Sequence, residues 1–185
     1  MKALALVLTV GATALSLPPL RVLIEQSMVW HMLVQMPLLM AAGAAASAAV
    51  GERMTRWNRY GLTGFMLAQC ITAYWMVPAM IDRAVVLPGA DAAKLVTLWL
   101  AGAALRQGWV QSNVPVQLFF VGYGLPMMAW LGFFLASTER RLCNAYSLES
   151  QVQAGQGLVA LSIALALWWA TCLRRNLMPS QAAVR

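Results

Sequence analysis

The sequence predicts an all-α, polytopic transmembrane helix bundle of six helices. Of the 185 residues, 61% are hydrophobic and only 10% are charged, and the mean hydropathy is +0.68. Soluble domains average about 45–50% apolar and about 25% charged residues. Apolar runs of membrane-spanning length alternate with short polar connections, which leaves no room for a sizeable aqueous domain. Most soluble enzyme folds are therefore excluded.

Six apolar runs, each bounded by charged or turn residues, predict the six spans. A transmembrane helix needs about 20 mainly apolar residues, and each run is close to that length. The runs cover residues 3–20, 28–50, 61–81, 93–109, 116–136 and 155–173.

The whole chain, 1–185, is expected to form a single integral membrane domain. Residues 1–20 are its first transmembrane helix or, alternatively, a cleaved signal peptide, because a lysine, a short apolar stretch and Ala12-Thr13-Ala14 follow Met1. Cleavage would leave five helices. Residues 28–173 form the five-helix bundle, and residues 174–185 form a short basic cytoplasmic tail.

The distribution of basic residues predicts that both termini lie in the cytoplasm, since Lys and Arg are enriched on that side of a membrane. This orientation places eight basic residues inside and five outside. The formal net charge is +7, but the basic residues are scattered between apolar runs, so anionic lipid head groups are expected partners and nucleic acid is not. The eight are Lys2, Arg53, Arg56, Arg59, Arg106, Arg174, Arg175 and Arg185.

Two features of the second run predict how its helix packs and bends. Residues 41–50 are nearly all small, which favours close approach of a neighbouring backbone. Pro37 removes one hydrogen bond to the carbonyl of Leu33, so the helix is expected to be irregular there. Pro78 and Pro126 interrupt two later runs.

The second run also carries the main candidate site. At 100° per residue, four side chains within residues 28–35 share one helix face of about 100°. Thioether sulfur beside imidazole suits soft Cu(I) and does not suit calcium or magnesium. Met76 and Met80, one turn apart near the end of the third run, add two sulfurs at a similar depth. The four residues are Met28, His31, Met32 and Gln35.

Each of these residues also has a purely structural interpretation. Methionine commonly fills packed cores. His31 is the only histidine and lies at membrane depth, where ionisable groups are functional suspects, yet a hydrogen bond to a loop carbonyl would also account for it. Gln35 either orients the imidazole or satisfies a carbonyl freed by Pro37.

Cys143 is the third kind of candidate ligand. It lies in a polar stretch, 139–151, on the side assigned to His31, and its neighbours Arg140 and Arg141 would lower the thiol pKa if they lie close. A packed free thiol is the alternative. The three cysteines show no CxxC spacing, so neither a disulfide framework nor a zinc site is predicted.

Catalysis is not expected. The sequence contains no nucleophile elbow, zinc-protease motif, phosphate loop or dinucleotide fingerprint. One histidine and six acidic residues, mostly at helix ends, offer little for general acid–base chemistry.

Two stretches resemble the CtaG-like family of multi-helix cytochrome c oxidase assembly factors. In that family, one helix carries a Ser-x-x-x-His-Met pattern, a second histidine four residues later, and then Pro-Leu-Leu leading to a glycine. Further along the chain, a second signature, Tyr-Gly-Leu followed by Asp-Gln-x-x-Ala-Gly, opens another helix. The spacing of Trp75, Pro78 and Asp82 is compatible with a third, looser match. The matching residues here are Ser27, His31, Met32, Pro37, Leu38, Leu39 and Gly43, then Tyr146, Leu148, Gln151, Ala154 and Gly155.

The resemblance implies a protein that helps copper reach a terminal oxidase in the bacterial inner membrane. Two positions depart from the family pattern: Gln35 stands where the second histidine is expected, and Ser150 stands in place of the aspartate. If the missing groups handle copper, that role is weakened or altered here.

The predicted function is therefore that of a noncatalytic copper-handling or assembly factor for a membrane respiratory oxidase, with Cu(I) as the possible metal. Its expected partners are membrane lipid and a terminal oxidase subunit or another membrane complex. One alternative is a structural or accessory subunit of a membrane complex without metal. Another is a haem- or quinone-binding subunit with its site around His31 and Trp30.

Overall fold

The computed structural model describes residues 2–50 and 58–177, and all regular structure in those ranges is helical. A π-helical turn, His31–Gln35, joins α3 to α4 within one continuous helix. The helices are α1 (Lys2–Leu15), α2 (Leu20–Ile24), α3 (Met28–Trp30), α4 (Met36–Val50), α5 (Leu62–Trp75), α6 (Pro78–Val86), α7 (Pro88–Gln111), α8 (Val114–Ser137) and α9 (Leu148–Leu177).

The helices form two packed groups. In the first, α4 packs against α1 and α7, and α5 also packs against α7. In the second, α8 and α9 form an antiparallel hairpin joined by residues 138–147, and α9 contacts the first group at α3 and the π-helical turn. We refer to the end of the bundle that holds this contact as the His31 end, and to the opposite end, where α7 finishes, as the Arg106 end.

A large apolar cavity of about 1020 Å³ lies between the two groups. Its walls come from α4, α5 and α7 on one side and from the α8–α9 hairpin on the other. At the Arg106 end, the rings of Phe65 and Phe120 stack with centroids 4.7 Å apart and connect α5 to α8.

Three helical segments of the described chain are long and apolar enough to cross a membrane, and a fourth counts if a bent pair is one span. These helices are compatible with a multi-pass membrane protein. The prediction of six spans is therefore corrected to three or four by length and composition. The three are Met28–Ala49, Val114–Ser137 and Leu148–Arg174.

Three of the six predicted spans are not single membrane-spanning helices, and each differs for a physical reason. Helix α1 has 14 residues, about 21 Å, which is shorter than the roughly 30 Å hydrocarbon core. The predicted span 61–81 bends by 74° between α5 and α6, because Pro78 begins a new helix. Helix α7 is long enough, but its average hydropathy is lowered by polar side chains that the bundle buries, including Asp91, Lys94 and Gln107.

Two predicted boundaries also change. Helix α9 begins at Leu148 rather than at residue 155, and it continues through Arg174 to Leu177. The predicted cytoplasmic tail, 174–185, is therefore helical where it starts, and residues 178–185 lie outside the described part of the chain. Arg53 and Arg56, assigned to the cytoplasm, also lie outside it.

The irregularity expected at Pro37 takes the form of the π-helical turn. The backbone N–H of Met36 bonds to the carbonyl of His31, five residues earlier, where an α-helix would bond four residues back. Proline cannot donate to Leu33 and crowds the preceding turn, so the helix widens directly before it. Such π-helical turns are frequent at functional sites.

The small residues of α4 permit very close helix packing, as the sequence predicts. A Cβ added at Gly43 would lie 1.8 Å from the carbonyl oxygen of Trp99 on α7. A Cβ at Gly102 on α7 would lie 1.9 Å from the carbonyl oxygen of Met40. Any side chain at either position would therefore force the two helices apart.

We expect Gly43→Ala to lower the free energy of unfolding by about 1–3 kcal/mol, because overpacking displaces backbone. The measurement is the apparent Tm of the purified protein in non-ionic detergent. Gly122→Ala on α8 is the matched control, since a Cβ there meets nothing within 4 Å. Equal Tm values for the two variants would contradict this packing of α4 on α7.

Candidate functional site

The most unusual feature of the molecule is a lysine with no exposed surface. Lys94 lies in the second turn of α7 and is 0% exposed. Its Nζ is 2.9 Å from Oε1 of Glu25 and 2.9 Å from Oδ1 of Asp91. Lysine is almost never fully buried unless it is paired, and here two carboxylates supply the pairing.

Arg21 completes a group of four charges at the His31 end. Its Nε lies 2.8 Å from Glu25 Oε2, and its Nη1 lies 3.1 Å from Asp91 Oδ2. Two cations and two carboxylates leave the cluster formally neutral. Because a buried charge is tolerated only when it is paired, this charge balance allows the group to lie between apolar helices.

The charge cluster connects several elements. Arg21 and Glu25 belong to α2 and its C-terminal cap, whereas Asp91 and Lys94 belong to the start of α7. Nη2 of Arg21 also donates to the carbonyl oxygen of Ala84 on α6, at 3.2 Å. The short helix α2 is therefore held against both α6 and α7.

His31 is fully buried, and each of its ring nitrogens has a partner. Nε2 is 3.1 Å from Lys94 Nζ, and Nδ1 is hydrogen-bonded to the hydroxyl of Tyr146. An ammonium group has no lone pair, so Nε2 must accept from Lys94. A neutral imidazole then carries its proton on Nδ1 and donates it to the Tyr146 oxygen.

Tyr146 lies in the connection between α8 and α9 and is buried. Burial raises the pKa of its phenol, and the carboxylate of Glu25 raises it further. The hydroxyl is therefore protonated at neutral pH. It links the 138–147 connection to His31, 115 residues away in sequence.

Gln35 extends the polar cluster by one turn. Its Oε1 is 3.4 Å from Lys94 Nζ, and its Nε2 is 3.4 Å from Ser16 Oγ at the end of α1. Gln35 therefore contacts the ammonium group rather than the imidazole, and it does not orient the ring directly. The π-helical turn His31–Gln35 places both side chains around Lys94.

Ser150 connects the start of α9 to the start of α3. Its Oγ accepts a hydrogen bond of 2.8 Å from the backbone N–H of Met28, the first residue of α3, and lies 3.2 Å from Ser27 Oγ. The first N–H groups of a helix have no partner within that helix. The serine that replaces the expected aspartate thus caps another helix across the bundle.

The connection between α8 and α9 is fixed by side chains on both sides. Asp82 accepts hydrogen bonds from the backbone N–H groups of Asn144 and Ala145, at 2.9 and 3.2 Å. Gln151 accepts from the N–H of Leu142 at 2.8 Å and donates to the carbonyl of Leu135. The polar stretch is therefore an ordered part of the site.

The structure raises the pKa of the Cys143 thiol, whereas the sequence suggests that neighbouring arginines lower it. Burial raises the pKa of its thiol from 9.0 to about 11, and the nearby carboxylate of Asp82 raises it as well. The guanidinium of Arg141 donates to the carbonyls of Tyr146 and Asn144. The thiol is thus protonated at neutral pH, and it contacts the carbonyl oxygen of Pro78 at 3.9 Å.

The candidate methionines are divided between two environments. Met28 is fully buried in the core, and Met80 packs against that core while partly buried. Met32 and Met76 line the apolar cavity. The polar atoms nearest the imidazole nitrogens belong to Lys94 and Tyr146, so His31 offers no free nitrogen to a metal in this arrangement.

Within the described ranges, no group of three or more His, Cys, Asp or Glu side chains is arranged to hold a metal ion. Copper binding by His31, Met28, Met32, Gln35, Met76, Met80 and Cys143 stays a prediction.

Sequence reasoning missed Lys94, Glu25, Asp91 and Arg21 as members of the site. A local signal was present, because Arg21 and Glu25 are four residues apart and Asp91 and Lys94 are three apart, the spacings at which helical charges pair. Their convergence around His31 depends on how α2 and α7 pack, which those spacings do not encode.

Comparison with protein-family models, curated proteins and solved structures gives no match.

We expect Lys94→Met to lower the free energy of unfolding by about 3–5 kcal/mol, because Glu25 and Asp91 would be left with one cation between them. Adding Glu25→Gln should recover part of the loss by restoring neutrality. The measurement is the apparent Tm in detergent. Arg83→Met, which removes an exposed cation near the same end, should change it little. Similar Tm values for the Lys94 and Arg83 variants would refute the buried cluster.

Proposed function

We propose that this chain is a noncatalytic, multi-pass membrane protein that assists the assembly of a membrane respiratory oxidase. The proposal follows the resemblance to the CtaG-like assembly factors. It includes location in the bacterial inner membrane with both termini in the cytoplasm, so that the His31 end faces outward. This orientation requires α1 and α7 to cross the membrane packed against α4, although neither is a span by its own length and composition.

One observation carries the proposal. The two stretches that resemble the family, 27–43 and 146–155, are far apart in sequence but are in direct contact at the His31 end. His31 bonds to Tyr146, and Ser150 binds both Ser27 and the N–H of Met28. This contact supports the proposal because it joins the two stretches that carry the resemblance in one polar cluster.

The electrostatics of the site favour a binding or assembly role over catalysis. Every charge of the cluster is paired, and His31 is held neutral between Lys94 and Tyr146. A general base needs a free lone pair that reaches its substrate, and the lone pair of Nε2 is taken by Lys94.

The test is deletion of the gene in the source organism, followed by measurement of oxidase activity and of the oxidase haem absorption in isolated membranes. We expect both to fall and the wild-type gene to restore them. Tyr146→Phe, which removes the hydroxyl bonded to His31, should restore them less well than Tyr123→Phe, whose side chain is exposed. Unchanged oxidase in the deletion strain would reject the proposal.

Copper handling is a second candidate, favoured by the thioether-bearing residues that flank His31. Met28 precedes the π-helical turn and Met32 lies within it, both buried, and thioethers prefer Cu(I). Copper would be cargo rather than a resident cofactor, and access to Nε2 would require Lys94 to move away. The assembly role does not depend on this step.

Anaerobic titration of the purified protein with Cu(I) against a chromophoric chelator tests the copper candidate. Copper handling through this site predicts about one Cu(I) per chain and its loss in His31→Ala and Met32→Leu, with no change in the exposed control Met66→Leu. Binding that survives His31→Ala would remove His31 from any copper site.

The same preparation distinguishes the other functions. Co-purification with a large complex, no metal by elemental analysis and normal oxidase in the deletion strain would indicate a structural subunit. A visible absorption spectrum of the isolated protein would indicate haem, and extraction of a quinone would indicate a quinone site near His31 and Trp30.

A further inference from the structure

The large cavity between the two helix groups has no role in the polar cluster or in the proposed assembly function. Its walls are almost entirely apolar, and methionine is prominent among them. Methionine side chains are flexible and adapt to irregular apolar shapes. The methionines that line it are Met32, Met36, Met40, Met76, Met127 and Met128.

Among the residues that the structure describes, Arg106 is the only charged one that lines the cavity, and it lies toward one end of it. In the part of the chain that the structure describes, its guanidinium makes no ion pair or hydrogen bond. This contrasts with Arg21 and Lys94, whose charges are paired within the protein. A half-buried guanidinium against apolar walls is stabilised by an anion, and a phosphate suits its fork-shaped donors.

The length of the cavity gives the size of the occupant. Along α7 its lining residues run from Leu98 to Val110, about 18 Å at 1.5 Å per residue. From Arg106 to Leu98 the distance is about 12 Å, comparable with the roughly 15 Å hydrocarbon depth of one leaflet. A molecule whose head group binds Arg106 would therefore extend its tail between the helix groups.

We infer that this cavity binds one anionic phospholipid, with its phosphate on Arg106 and an acyl chain along the methionine-lined wall. The volume of about 1020 Å³ lies at the upper end of the range for small-molecule sites. Flexible walls suit a flexible chain, and the single cation selects for negative charge. The inference goes beyond the proposed assembly role and does not depend on it.

The lipid would fill space that the protein leaves open between α8–α9 and the other helices. Helix α5 contacts α8 mainly near the Arg106 end, and α9 contacts α3 at the His31 end. Between these two contacts the groups are separated by the cavity, so a bound acyl chain would supply the packing that is missing along its length.

Native mass spectrometry of delipidated protein tests the inference. The probes are phosphatidylglycerol and phosphatidylcholine with identical chains, added at equal concentration. We expect one phosphatidylglycerol per chain with about tenfold preference, and loss of that preference in Arg106→Gln, since one charge-assisted contact is worth about that factor. Arg174→Gln, at an exposed arginine near the same end, is the matched control and should retain it.

A second measurement locates the tail. Phosphatidylglycerol carrying a photoreactive group at the end of one acyl chain should cross-link to peptides containing Met36 or Trp75, which line the cavity. If both arginine variants lost the preference for phosphatidylglycerol equally, the preference would come from nonspecific surface charge, and the inference would be overturned. Cross-links confined to exposed residues such as Phe133, or a stable dimer that excludes lipid, would also overturn it.

Discussion

The arrangement of this protein depends on keeping one ammonium group buried among apolar helices. Lys94 has no contact with solvent, and an unpaired charge in that position would be strongly unfavourable. Its surroundings supply two carboxylates, an imidazole nitrogen and an amide oxygen. Because these acceptors come from α2, α7 and the π-helical turn, satisfying Lys94 brings those elements to one point.

This constraint extends to the connection between α8 and α9. Lys94 determines which nitrogen of His31 carries the proton, and that proton determines the hydrogen bond to Tyr146. Asp82 and Gln151 then hold the backbone around Tyr146. The hairpin α8–α9 is thus anchored to the rest of the bundle by polar contacts at the His31 end and by stacked aromatic rings at the other.

Positive charges are balanced differently at the two ends of the bundle. At the His31 end, cations are neutralised by carboxylates within the protein, so that end makes a self-contained polar core. At the other end, Arg106 faces an apolar cavity with no internal counter-ion in the described chain. The first arrangement stabilises the fold, whereas the second leaves electrostatic attraction available for a ligand.

The sequence by itself determined the helical class, three of the six spans it predicted, the disturbance at Pro37 and the close packing of the small residues in α4, because composition, hydropathy and proline geometry act locally. It also singled out His31 and the polar stretch around Tyr146. Only the tertiary structure decided that α7 hides its polar side chains, that Asp82 rather than an arginine neighbours Cys143, and that His31 faces Lys94. Those outcomes depend on which helix faces pack against each other. The residues in these contacts are 60 or more positions apart, so the local spacing of residues does not indicate them.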